Sequence, residues 1–374
     1  MEEKMLCKLT SGDRVYHYNK SIIIKFSGKR AVLSTGILNG GYRENISAVL
    51  NHDAKAAPGM GCQLRAPTYE EHMKLIAEEA GLDAEHTTGI ATAANMENVS
   101  IVSQNYGNLS LTAIVTAGIE TNGGRVGDPA SYVEENERIT NIPHGTINII
   151  LAIDGKLFPH TLARSFITVT EAKTAAIQEL LEGSKYSTGL ATGSGTDGVI
   201  VYVNVESKNI YQDAGKHSKL GELIGKAVKQ AVKEALEKQS GLCPEKQKSI
   251  FRRGRRYGIT AERLWEDYIA TNSEKQNKKL EYMEFIETLE KKEDLVSLTS
   301  LYLHLLDQWE WKLLSEKTVR EHCSLLRKEI SNILGLPFQN RKKKSSVIED
   351  MIEAYIILFT QYVSENWEKK IERK

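Results

Sequence analysis

Gly193-Ser194-Gly195-Thr196-Asp197-Gly198-Val199-Ile200-Val201-Tyr202-Val203 is the stretch on which the fold class turns. Its first six residues match G-x-G-x-x-G, a pattern that cradles a dinucleotide only between a strand and a following helix. Here the glycines lead into a β-branched apolar run, which predicts a strand over 199–205 and excludes the dinucleotide reading. What stands is a polar, Gly-rich loop feeding a strand.

Working outward, further β-branched runs bounded by Gly, Asn and Asp predict strands at 21–26, 31–34, 99–103, 109–117, 146–153 and 165–169. Helices are predicted at 68–80, 171–182 and 218–239. The last carries Leu220, Leu223, Ile224, Ala227, Val228, Ala231, Val232, Ala235 and Leu236 in one apolar stripe, the mark of a helix packed on a sheet. The N-terminal half is therefore α+β or α/β, with short strands, packed helices and polar loops.

Beyond Cys243 the composition changes. Of 28 glycines only Gly254, Gly258 and Gly335 lie there, and so do all 4 tryptophans. The 3.6-residue period predicts helices at 261–270, 274–290, 293–314, 316–334 and 347–374. The reading is two domains, 1–243 and an all-α 244–374. The basic clusters around Arg252–Arg256 and Arg341–Lys344 fall in predicted linkers, where a charge run is ordinarily solvated.

With 49 Lys+Arg against 49 Asp+Glu in 374 residues the chain is neutral, which argues against a nucleic-acid partner. No apolar stretch approaches a membrane span and no leader is recognisable, so a cytoplasmic location without a membrane partner is expected. Cys7, Cys62, Cys243 and Cys323 have no paired spacing and read as reduced thiols. Gly215-Lys216-His217-Ser218 fails as a phosphate loop, because His217 stands where a hydroxyl residue is needed.

Chemistry is expected in the polar loops at strand ends. Asn39-Gly40-Gly41 and His52 form one group, although a hairpin turn accounts for the glycines and a lone His is more often structural. Asn122, Arg125 and Asp128 follow the strand at 109–117, where a substrate site and a loop-pinning Arg–Asp pair stand level. At 170–174, Thr170 is expected to cap a helix with Glu171 in its first turn and Lys173 beside it. Thr192, Ser194, Thr196 and Asp197 could hold an anion or oxyanion. His217 and Lys216 sit at the start of the long helix, where a neutral imidazole could serve as a base.

Taken in order, Asn39-Gly40-Gly41 with Asn51-His52, Gly89 to Ala94, Val115 to Ile119 with Asn122, Arg125, Gly127 and Asp128, Gly145-Thr146-Ile147-Asn148, Thr170 to Thr174, Thr192 to Asp197 and Gly215 to Ile224 make a pattern. It resembles the adenosylcobinamide amidohydrolase family over about residues 20–240. The resemblance implies hydrolysis of the amide between the corrin ring and aminopropanol, giving adenosylcobyric acid and 1-amino-2-propanol in corrinoid salvage. The partner it implies is a small-molecule corrinoid, whose cobalt arrives within the substrate, and no separate cofactor is expected.

Amide hydrolysis needs an activated nucleophile, an oxyanion donor and a proton for the leaving amine. The expected scheme uses water activated by His217 or Asp197. Lys216, Arg125 or the 193–195 backbone would stabilise the oxyanion, and Asp128 or Glu171 would orient the base. A covalent variant uses Thr196 or Ser194; a metal variant would draw on His52, Asp128, Glu171 and His217, which lack a recognisable ligand spacing. Substrate contacts are expected from Asn39, Gly40, His52, Asn122, Arg125, Thr192, Lys173 and Lys216. The competing reading is a non-catalytic corrinoid binder that signals through the helical half, which could also join a second copy or a protein partner.

Overall fold

The computed structural model describes residues 3–56, 62–130, 145–338 and 346–372. They form two compact units, Met1–Cys243 and Pro244–Lys374. In the first, the chain begins with β1 (Lys4–Lys8), β2 (Arg14–Tyr18), β3 (Ser21–Lys25), β4 (Arg30–Ser34), β5 (Gly41–Arg43) and β6 (Ala48–Asp53). Helix α1 (Tyr69–Glu79) and strands β7 (Thr87–Thr92), β8 (Ser100–Tyr106) and β9 (Leu109–Gly118) follow. After the short β10 (Gly123–Gly124) come β11 (Thr146–Asp154), β12 (Lys156–Leu157), α2 (Pro159–Glu179), β13 (Gly193–Ser194), β14 (Gly198–Asn204), β15 (Ile210–Tyr211) and α3 (Lys219–Ser240).

Two mixed sheets result, ordered β1-β2-β3-β6-β7 and β5-β4-β14-β11-β9-β8. They stack face to face, and side-chain alternation along the strands states which layer each residue serves. On β11, Ile147, Ile149, Leu151 and Ile153 pack under α2 and α3, while Ile150 and Ala152 meet Ile22, Ile24 and Val49 of the other sheet. The outer face of that other sheet, with Ile23 and Leu50, is covered by Met73, Ile76 and Ala77 of α1. The unit is thus four layers, helix, sheet, sheet, helices.

The apolar stripe of the long helix lies buried, with Ser218 capping it and Gly241 ending it in the left-handed conformation. The expected strand at 165–169 is instead the middle of α2. Pro159 starts that helix at its first position, and Leu162, Val169, Ala172 and Ala176 face the sheet at helical spacing, so packing overrides the β-branched composition. In consequence Thr170 caps nothing: its hydroxyl donates to the Phe166 carbonyl one turn back, and Glu171 lies far from the first turn.

The second unit carries α4 (Ile250–Gly254), α5 (Ala261–Ile269), α6 (Lys279–Glu290), α7 (Glu293–Glu310), α8 (Glu316–Leu334) and α9 (Val347–Glu372) around one aromatic-rich core. The run 252–256 is helical and not a linker. Arg256 reaches buried Asp307 with two hydrogen bonds of 2.5 and 2.7 Å, and Arg253 donates to Ser300 and the Gln247 carbonyl. The 341–344 cluster lies outside the described residues.

Candidate functional site

The interface between the sheets is largely apolar along its middle; the buried Arg30–Asp13 pair closes one end, and at the other the alternation delivers Asn51 from β6, Thr116 from β9 and Asn148 from β11. Asn51 Nδ2 donates to Thr116 Oγ1 at 2.9 Å, and Asn148 Nδ2 donates to Asn51 Oδ1 at 2.7 Å and the Ala91 carbonyl at 3.0 Å. All three side chains are buried. This polar end borders a cavity of about 890 Å³ whose walls include Ile37, Leu64, Ile90 and Tyr69 together with Thr146, Asn148, Thr196 and Asp197. Burial pushes the Tyr69 hydroxyl up to about 12, against a hydrogen bond from the Ala91 backbone, so it stays a neutral phenol.

Asp197 is the charged group of that wall. Its carboxylate accepts from the Ile147 N–H at 3.0 Å, the Ser194 N–H at 3.1 Å and the Ser194 hydroxyl at 2.6 Å, and pairs with Lys173 Nζ from α2. Both partners of the pair are about nine-tenths buried. Lys173 also lines a second cavity, of about 740 Å³, with Asn122, Arg125, Thr192 and Ser194. The ion pair therefore stands as a partition between the two spaces.

Next to it, the Thr196 hydroxyl donates to the Gly145 carbonyl at 2.8 Å, which leaves the Thr146 hydroxyl as the donor in their 2.7 Å contact. Asn122 Nδ2 donates to the same Gly145 carbonyl at 2.5 Å. Gly145 sits at φ 141°, and a Cβ there would fall 2.2 Å from Asn122 Oδ1, so only glycine fits.

The match to known proteins covers this whole unit. The model of the family described as adenosylcobinamide amidohydrolase matches residues 6–244. The chain belongs to that family. A Methanosarcina mazei protein named adenosylcobinamide amidohydrolase is 30% identical over 231 residues, which is 59% of this chain and 97% of that one. An uncharacterised Methanocaldococcus jannaschii protein is 35% identical over 238 residues, 61% of this chain and 89% of its own length. A crystallised Pyrococcus horikoshii OT3 protein overlays 63% of this chain and 81% of its own at 13% identity with a TM-score of 0.29, too low to support any inference.

Within this amidohydrolase unit the expected residues separate into three groups. Asp197, Thr196, Lys173, Asn122, Arg125 and Thr192 converge on the two cavities. Lys173 is engaged by Asp197 and so is not free for substrate alone. The Thr192 hydroxyl accepts from the Val126 N–H at 2.9 Å. Arg125 donates through Nη1 to the Leu190 carbonyl, and its N–H, not its guanidinium, meets Asp128. Asp128 lies in the wall of the smaller cavity. Burial works against its charge, but hydrogen bonds from Ser184 and Ser187 prevail and hold it below the usual carboxylate range.

A second group is structural. Asn39, at φ 47°, ties its loop down by donating to the Ala84 and Thr87 carbonyls, each at 2.8 Å. Gly40 is packed so closely that a Cβ would lie 2.1 Å from the Gly36 carbonyl. His52 points away from the cavity, toward α1, with Nδ1 at 2.9 Å from the Ser21 hydroxyl and its ring against His72. Burial first, then the neighbouring His72 and cations, lowers His52 to about 4, so it is neutral at pH 7.

The third group is on the surface. Lys216 pairs with Glu171 at 3.1 Å, both well exposed, and His217 is exposed one residue before the Ser218 cap. None of these three lines a cavity that holds Asp197 or Lys173. Thr146 and Asn148 were missed as site residues; the signal was a pair of polar residues two apart at the start of an otherwise apolar strand. Among the described residues no group of three or more His, Cys, Asp and Glu side chains converges as a metal site would need. Nor is any helix there long and apolar enough to cross a membrane.

Proposed function

We propose that the chain hydrolyses the amide linking the corrin ring of adenosylcobinamide to its aminopropanol arm, giving adenosylcobyric acid and 1-amino-2-propanol in a cytoplasmic salvage step. The observation that carries this reading is Asp197, held by Lys173 and two backbone N–H groups in the wall of the 890 Å³ cavity of a chain of this family. The apolar part of that wall suits the corrin face and its polar end suits the amide. The cobalt is part of the substrate, and no further cofactor enters the reaction.

In this scheme water attacks the amide carbon and passes a proton to Asp197, with the Ser194 hydroxyl turning aside to free Oδ1. The Thr146 and Thr196 hydroxyls, whose hydrogens can rotate, donate to the oxyanion. The C–N bond then breaks, the carbon keeps the new C–O bond, and the amine leaves with the proton returned through Asp197. Lys173 holds the carboxylate in place through the ion pair. This replaces His217 as base and Lys216 as oxyanion donor, because neither stands at the cavity.

The test is incubation of the purified protein with adenosylcobinamide, with and without a chelator, following both products by mass spectrometry. Equal release of cobyric acid and aminopropanol in both samples is the expected result. Substrate that binds but remains intact sinks the reading in favour of a corrinoid binder, and activity lost only with chelator removes the metal-free scheme.

A further inference from the structure

We propose that Asn148 Oδ1 is the acceptor for the N–H of the amide that is cut, and so the atom by which the site tells an amide from an ester. This rests on the hydrolase reading above. Asn148 is 1% exposed and lines the 890 Å³ cavity beside Asp197, Thr146 and Thr196. Its amide cannot turn over: the Ala91 carbonyl only accepts, so the NH₂ end must face Ala91 and Asn51, and the oxygen must face the other way. That oxygen has no hydrogen-bond partner among the described residues.

The sequence keeps side-chain bulk off this oxygen. Asn148 is paired across the parallel ladder with Gly198, and a Cβ at Gly198 would lie 2.6 Å from Oδ1. Any other residue there would close over the oxygen. A buried carbonyl without a partner is costly, and such groups are retained where a ligand completes them. A lone acceptor selects a donor, which on an amide is the nitrogen side. Seating the N–H on Asn148 turns the carbonyl toward the Thr146 and Thr196 hydroxyls and its carbon toward the water beside Asp197.

Buried polar groups left unmatched by an analogue are the strongest discriminators an enzyme has. The experiment compares adenosylcobinamide with its ester analogue, in which oxygen replaces the scissile N–H. Binding to the Asp197→Asn protein is followed by corrinoid absorbance, so that turnover does not intrude. The amide should bind roughly ten- to a hundred-fold more tightly than the ester. Adding Asn148→Ala should abolish most of that ratio by weakening the amide alone.

Equal binding of amide and ester by the Asn148-containing protein overturns the proposal without recourse to the second variant. So does an Asn148→Ala protein that loses affinity for both ligands equally, which would place a peripheral corrin carboxamide, or none, on Asn148. The underlying reading fails separately, if the wild-type protein does not cleave adenosylcobinamide at all.

Discussion

Lys173–Asp197 and Arg256–Asp307 are two buried ion pairs in one chain, and exposure does not distinguish them: 11% and 11% for the first, 6% and 8% for the second. Their surroundings do. Arg256 and Asp307 meet as a two-pronged pair closed by the Tyr257 hydroxyl at 3.0 Å, inside the helical core. The other pair separates two cavities and is flanked by hydroxyls and by an acceptor that no described residue fills. A buried charge pair therefore identifies a site only when space and unspent hydrogen-bonding capacity lie beside it.

The largest effect that would sharpen this contrast is on catalysis. Asp197→Asn should lower kcat by roughly 10²–10⁴-fold while thermal unfolding stays cooperative; near-normal turnover would remove Asp197 as the base. In the helical unit the same exchange should touch stability instead. Asp307→Asn strands a buried guanidinium and should cost about 3 kcal/mol in denaturant unfolding, with hydrolysis per folded molecule unchanged. If Asp307→Asn impaired catalysis and left stability intact, the contrast would collapse.

Comparable in size, but confined to acid pH, is an effect from His52. Its folded value is about 4 against the ordinary histidine value of 6.5, so the unfolded chain binds the extra proton between those limits. The stability from keeping it neutral is complete above pH 6.5 and is lost progressively as pH falls toward 4, by up to ~3 kcal/mol. His52→Gln should flatten that part of the melting-temperature profile, and an unchanged slope would exclude His52 as its source. The smallest change is Lys216→Ala, expected within about 0.5 kcal/mol and without effect on kcat or KM. A marked fall in kcat would restore the helix start to the active site.

Much of this arrangement is legible in the sequence, and the failures have physical causes. Strands β9, β11 and β14 were readable because both faces of their sheet are buried and their β-branched runs are nearly unbroken. Strand β6 was not, because Asn51, His52 and Asp53 make half of it look like a loop. The 165–169 run was misread because Ile167, Thr168 and Val169 have strand composition, yet pack at helical spacing. Asp197 and Lys173 could each be singled out, but their pairing is a property of α2 lying over β13, and no local pattern encodes it. His217 attracted a role through its type and its place before a helix; the fold simply leaves it in solvent.

The site draws Asn51 from β6, Thr116 from β9, Asn148 from β11, Lys173 from α2 and Asp197 from the turn before β14. Asn51 meets Asn148 across 97 positions of chain. Contacts so distant in sequence form only after the chain entropy between them has been surrendered, which makes them late in folding. Hydrolytic activity recovered during refolding should accordingly lag behind helical circular dichroism, and its reappearance would time the docking of one sheet upon the other.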